Sequence, residues 1–303
     1  MFVFRYLCPL LLLLVPSDAF AWGIGIHLQL GSHLLANLEA LPPLLQTLLG
    51  AHPQDYLYGC ISADITLGKK FTHYLKHCHS WRMGYEILAA ARSAPQKACA
   101  YGYLSHLAAD TIAHSYFIPF QMVRSFNTLL LKHTYWEMRS EVHVPAETWT
   151  LARTIARRRF NDNDELMRGV LSDTIFSFTT NKRLFNSLLL LSRLQQWQKM
   201  LRSLDHSSKW SLEAEEQEEY LALARQAVLS LLCDLQQSPY WQADPTGERA
   251  LNAAKMIRKN LNLLWLDGKL SEQEGNSILT DLKPRFHAGI TRPDNLLELL
   301  SAY

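Results

Sequence analysis

GYLSHLAADTIAHSYF, running from Gly102 to Phe117, decides how the rest of the chain is read. Small and apolar residues (Leu104, Ala108, Ala109, Ile112, Ala113) recur at helical spacing, while His106, Asp110 and His114 fall at i, i+4 and i+8. At 100° per residue these three side chains fan across about 80° of one helix face. A helix so small and apolar on its other side belongs inside a bundle. Two imidazoles and a carboxylate on one buried stripe are costly unless they pair with one another or hold a cation. The stretch therefore predicts a core helix carrying a salt-bridged carboxylate or a metal-ligand set.

The same periodicity extends along the chain, which is rich in Leu and Ala and poor in alternating β-branched runs. It predicts helices over about 27–49, 80–93, 97–117, 122–142, 148–159, 183–204, 212–237 and 246–265. Breaks are expected at the Asn-Asp-rich run 161–164, at Ser207-Ser208, at Pro239 and at the turn Asp244-Pro245-Thr246-Gly247. EAEEQEE (Glu213 to Glu219) reads as a solvated face. DGKLSEQE (Asp267 to Glu274) lacks the alternating oxygen ligands and placed glycine of a calcium loop, and reads as a helix–turn–helix joint. The expected fold class is all-α, a multi-helix bundle with a buried zinc cluster at one end. The expected division is a leader at 1–21, a zinc-binding catalytic helical region at 22–150, and a C-terminal helical region at 151–303, packed on it or forming a separate subdomain.

Ten of the twelve histidines lie between His27 and His143, which places the chemistry in the first half. His133 and Glu137 form a second i, i+4 pair, and Glu141 continues their stripe as an alternate ligand or an outer acceptor. Between the two groups, Asp64 follows small residues, and His73, His77 and His79 compete as its partners. Nitrogen and oxygen donors without an obligatory thiolate suit zinc in a catalytic role. Cys78, inside HCH, is a conceivable thiolate ligand, a buried thiol or half of a disulfide; the spacing of Cys60, Cys78, Cys99 and Cys233 fixes no pairing.

The chain opens with Arg5, an apolar stretch Leu10 to Val15 and small residues at Ala19 and Ala21, the pattern of a secretory signal peptide. Cleavage after Ala21 would make Trp22 the new N-terminus, whose amino and carbonyl groups could chelate an ion together with His27. A net charge of +2 over 303 residues demands no nucleic-acid partner, and the Arg157–Arg159 run reads as a solvated helix face. With no second apolar stretch of spanning length, the expectation is a secreted or periplasmic protein without a transmembrane segment.

Taken together, WGIGIH (22–27), Asp64, His79, HLAAD (106–110), His114 and the His133–Glu137 pair resemble the zinc-dependent phospholipase C superfamily. That superfamily includes bacterial phospholipases C, single-strand zinc nucleases and the N-terminal part of glycosylphosphatidylinositol-specific phospholipase D. The similarity covers roughly residues 22–142. It implies three zinc ions: one on Asp64, His79, His106 and Asp110, one on Trp22, His27 and Asp110, and one on His114, His133 and Glu137. The Asp-to-His interval of the bacterial branches favours His79. The four-residue step from Asp110 to His114 departs from the six of those branches and looks more like the phospholipase D branch. The implied activity is hydrolysis of a phospholipid phosphodiester by a zinc-activated water, with Asp64 as the catalytic carboxylate steering that water. Peripheral contact with a membrane surface follows. Three divalent ions against three carboxylates leave the cleft positive and suited to phosphate. A nuclease or 3′-nucleotidase of the same superfamily is the alternative, with Tyr74, Trp81, Tyr116 and Trp136 as candidate base platforms. A non-catalytic secreted zinc-binding interaction protein is a third reading.

Overall fold

Proline pairs, reciprocal caps and one proline-induced widening set the helix boundaries in the computed structural model, which describes residues 22–66, 78–128, 133–171, 176–191 and 210–294. The first helix, α1 (Ile24–Leu35), is followed by a 3₁₀ turn (Leu38–Ala40), α2 (Pro43–Ala51) and α3 (Pro53–Ser62). The expected single helix over 27–49 is thus divided. Pro42 and Pro43 cannot continue α1, because a proline inside a helix lacks the N–H and its ring clashes with the preceding turn. Pro43 and Pro53 instead begin α2 and α3, where a missing N–H costs nothing. The third helix was not expected: Tyr56 to Ser62 are buried all round, so they carry no amphipathic signature.

After a 3₁₀ turn (Ala63–Ile65) come α4 (Trp81–Ala90) and α5 (Ala94–Ile112). Ser93 and Gln96 close a capping box at the start of α5, and Pro95 occupies its first turn. Past Ile112 the helix widens into a π turn (Ala113–Phe117), where Ile118 N–H donates to Ala113 O, before α6 (Ile118–Arg124). Pro119 supplies the cause: it cannot donate back to Ser115, and the i→i+5 pattern accommodates the missing bond. Then follow α7 (His133–Glu141), α8 (Ala146–Arg157), α9 (Asn161–Val170) and α10 (Phe178–Leu191). The chain ends its described part with α11 (Ala214–Cys233), a 3₁₀ turn (Pro239–Gln242), α12 (Glu248–Leu266) and α13 (Glu272–Gly289). The expected break at 161–164 is in fact the first turn of α9, where Asp162 and Asp164 meet the positive end of the helix dipole. The 267–274 joint links α12 to α13 as expected.

Among the described residues there are helices and no strands, so the chain is an all-α bundle. Its axis is α5, buried on every side from Gly102 to Ile112 and enclosed by α3, α11, α4, α9 and α1. The closest approach is between α3 and α5, at Gly59 and Gly102. A Cβ on Gly102 would run into the Tyr56 carbonyl oxygen and lie 2.9 Å from the Gly59 Cα. This contact brings the C-terminal end of α3, and with it Asp64, beside His106 and Asp110. The acidic run 213–219 is less solvated than expected. Glu216 accepts from Gln121 Nε2 (2.8 Å) and Arg124 Nη1 (2.9 Å), and Glu219 accepts from the Tyr116 hydroxyl (2.7 Å) and Lys283 Nζ (2.7 Å). These contacts tie α11 to α6, α13 and the π turn. Arg157 to Arg159 are exposed, as a solvated face requires.

Candidate metal centre

Five side chains from four segments converge at one end of the bundle. His27 comes from the first turn of α1, Asp64 from the 3₁₀ turn after α3, His79 from the turn before α4, and His106 and Asp110 from α5. All five are at most 2 % exposed, so none is a surface group that water could satisfy. Asp110 is the hub. Its Oδ1 lies 3.3 Å from His27 Nε2, and its Oδ2 lies 3.2 Å from His106 Nε2 and 3.3 Å from His79 Nε2. Asp64 Oδ1 is 3.3 Å from His79 Nε2, and the His79 and His106 Nε2 atoms are 3.1 Å apart. The His27 and His106 rings stack with centroids 3.8 Å apart.

The donor chemistry fits a cation. His106 Nδ1 lies 2.9 Å from the Cys60 carbonyl oxygen, so Nδ1 carries the proton and donates, and Nε2 presents its lone pair inward in the neutral ring. Neither Asp110 oxygen accepts a well-formed hydrogen bond, although both are fully buried. Burial alone would push the Asp110 carboxyl up, but His106 and His27 outweigh it and hold it well below the usual range. Burial and the neighbouring His106 lower His27, so His27 is neutral beside an ionised Asp110. At His106, burial is overcome by Asp110 and Asp64, which raise its pKa. A cation bound at Nε2 would compete with the proton that these carboxylates favour there. Ligand atoms of His27, His106 and Asp110 lie within 4.8 Å of one another, and so do those of Asp64, His79 and His106.

The remaining candidates form a second cluster. His133 Nε2 lies 3.0 Å from Glu137 Oε1, and the His114 and His133 rings meet edge to face with centroids 5.5 Å apart. His114 belongs to the π turn, where the wider pitch ends the α-helical stripe of His106 and Asp110. Its Nδ1 lies 2.6 Å from the Pro245 carbonyl oxygen, the same arrangement that Cys60 gives His106. Both outer acceptors are backbone carbonyls, which leave no trace in a sequence. Cys78 is a buried thiol, one of its three expected readings, and lies 3.2 Å from His79 Nδ1. Among the described residues Cys60, Cys78, Cys99 and Cys233 are free, and burial pushes the Cys60 thiol up to about 12.

Trp22 is buried directly ahead of α1, its ring 6.1 Å from that of Phe117 in the π turn. Glu141, weighed above as an alternate ligand, is committed elsewhere: its carboxylate accepts from Gly25 N (3.1 Å) and Ile26 N (3.0 Å) and so caps α1 from 115 residues away. A Cβ on Gly25 would lie 2.6 Å from Glu141 Oε2, and one on Gly23 would collide with the same carboxylate. The glycines of WGIGIH thus make room for the cap. Burial, opposed by those two amides and reinforced by Glu137 and Asp64, raises Glu141 to about 7. His73, His77, Tyr74 and the leader 1–21 lie outside the described residues. The other candidate base platforms are engaged: Tyr116 and Trp136 are buried, and Trp81 donates to the Ala243 carbonyl (2.7 Å) against Trp241.

A helical bundle with buried imidazole–carboxylate clusters at one end defines a class of proteins built around catalytic or structural zinc. The family described as zinc dependent phospholipase C matches residues 26–177, just over half of the 303, and the chain belongs to that family. Zinc is accordingly its metal, and three ions fit the family and the clusters. No curated protein and no solved structure matches the chain. No helix of the described residues is long and apolar enough to cross a membrane.

Proposed function

We propose that the chain is an exported phosphodiesterase that hydrolyses phospholipids and releases a phosphorylated head group. In this reading Asp64, His79, His106 and Asp110 hold one zinc, Trp22, His27 and Asp110 a second, and His114, His133 and Glu137 a third. The convergence of three of these donors, His27, His79 and His106, on the fully buried Asp110 carboxylate at 3.2–3.3 Å carries the proposal. Zinc, when bound, supplies a Lewis acid toward phosphoryl oxygens and acidifies a water. The chain's own groups do the rest. Asp64 orients the attacking water and takes its proton. The water oxygen bonds to phosphorus in line with the departing glycerol oxygen, whose bond to phosphorus breaks and which leaves as the alcohol with a proton from solvent. Region 22–150 supplies the ligands, and 151–303 completes their surroundings. Lipid is favoured over polynucleotide because Tyr116 and Trp136 are buried and Trp81 is held by the Ala243 carbonyl beside Trp241.

The test is Asp64→Asn, assayed on phosphatidylcholine, phosphatidylinositol and single-stranded DNA with and without chelator, alongside zinc stoichiometry. Loss of phospholipid turnover with zinc and fold retained is the expected result. Unchanged hydrolysis would remove Asp64 from the chemistry, and turnover of DNA alone would replace the lipid reading. One extra residue ahead of Trp22 should lower zinc content; full loading would refute N-terminal ligation.

A further inference from the structure

The outer face of α12 is both greasy and cationic. From Arg249 to Leu266 there is no Asp or Glu, while Arg249, Lys255, Arg258 and Lys259 are present. The inner face, Ala250, Ala253, Ala254, Ile257 and Leu261, is buried in the bundle. The outer face leaves Met256 54 %, Leu263 51 % and Leu266 69 % exposed. At 100° per residue, Lys255, Lys259, Leu266, Leu263 and Met256 fall within a stripe about 100° wide. Arg249 pairs with Asp294 and Arg258 donates to the Thr128 carbonyl, but Lys255 and Lys259 are exposed and make no ion pair among the described residues.

We infer that this stripe is the surface by which the chain settles on an anionic phospholipid bilayer. The inference extends the phospholipid reading from the reacting group to the membrane that presents it. An apolar stripe interleaved with unpaired lysines is what an interfacial helix lying in the head-group plane requires: leucines enter the acyl boundary and lysines reach lipid phosphates. A second copy of the chain is the poorer occupant. A two-fold contact centred on Lys255 and Lys259 would bring them against their own counterparts, and the one acidic residue of the helix, Glu248, lies two turns away from Lys255. The placement also serves the site. Gly247, one residue ahead of α12, packs its backbone against His114, so the N-terminal end of α12 borders the ligand cluster.

The test uses the full zinc-loaded chain and co-sedimentation with phosphatidylcholine vesicles, with and without phosphatidylserine. Wild type should bind the serine-containing vesicles and lose binding as salt rises. Lys255→Gln with Lys259→Gln should weaken it by about thirtyfold, since each lysine near an anionic surface contributes roughly fivefold. Leu263→Ser with Leu266→Ser should abolish it. Hydrolysis of a monomeric short-chain phosphatidylcholine and zinc content should be unchanged in both variants. Vesicle binding by wild type that neither pair nor salt alters would overturn the inference. So would no vesicle binding at all, or a dimer in light scattering that the leucine pair converts to monomer. Vesicle binding that depends on α12 without hydrolysis of any phospholipid would sink the enzymatic reading and leave this one standing.

Discussion

Glu141 offers the sharpest quantitative test of how the ligand helices are held together. Its carboxylate accepts from the Gly25 and Ile26 amides, and its burial raises its pKa from 4.5 to about 7. A folded-state pKa above the unfolded one means that the folded chain holds the extra proton between those two values. Stability from this group is therefore fully present below about 4.5, falls as pH rises toward 7, and is flat above. A shift of about 2.5 units corresponds to about 3 kcal/mol. Glu141→Gln cannot ionise, and its amide NH₂ opposes one of the two backbone donors, a cost of about 1–3 kcal/mol that does not depend on pH. Urea denaturation of the metal-free proteins across pH 4.5–7.5 should thus show the variant gaining about 3 kcal/mol relative to wild type over that window. The histidines that titrate there are common to both chains and cancel in the difference. A difference that stays constant with pH would refute the reasoning, because Glu141 would then be ionised in both states or neutral in both.

Two further outcomes follow from the packing and the hub. Gly102→Ala drives a methyl into the Tyr56 carbonyl and should cost about 3 kcal/mol in thermal denaturation, whereas Gly169→Ala, with nothing within 4 Å, should be neutral or stabilising by up to about 1 kcal/mol. Asp110→Asn should lower zinc stoichiometry by elemental analysis from three to one, since His27, His79 and His106 all gather on that carboxylate while His114, His133 and Glu137 do not; loss of a single ion would show that Asp110 does not bridge.

The sequence made the all-α fold and its centre legible because α5 writes both in one stretch: apolar residues at helical spacing, and His106 and Asp110 one turn apart. The His133–Glu137 pair was readable for the same reason. What escaped was of three kinds. The third helix is buried on all sides and so lacks a polar face to give periodicity, and Asn161 to Asp164 looked like a loop because residues that favour turns also favour first turns of helices. The stripe of His106, Asp110 and His114 was drawn on an unbroken α-helix, and the π turn forced by Pro119 ends it before His114. Finally, the groups that orient the ligands are backbone carbonyls of Cys60 and Pro245 and a carboxylate reaching across 115 residues. None of these has a local spacing to detect.

The Asp244-Pro245-Thr246-Gly247 turn has a consequence for what counts as the family's unit. The recognisable segment stops at residue 177, yet the carbonyl that sets the His114 tautomer arrives from residue 245, and α11, which covers α5, also lies beyond that boundary. A chain cut at the end of the family match would keep every candidate ligand and lose the partner that aims one of them. The centre is not portable. Substitutions at 244–247, remote from every histidine motif in sequence, should behave as lesions of the third ion, and a shortened expression fragment should be judged by its zinc content before its inactivity is blamed on the substrate.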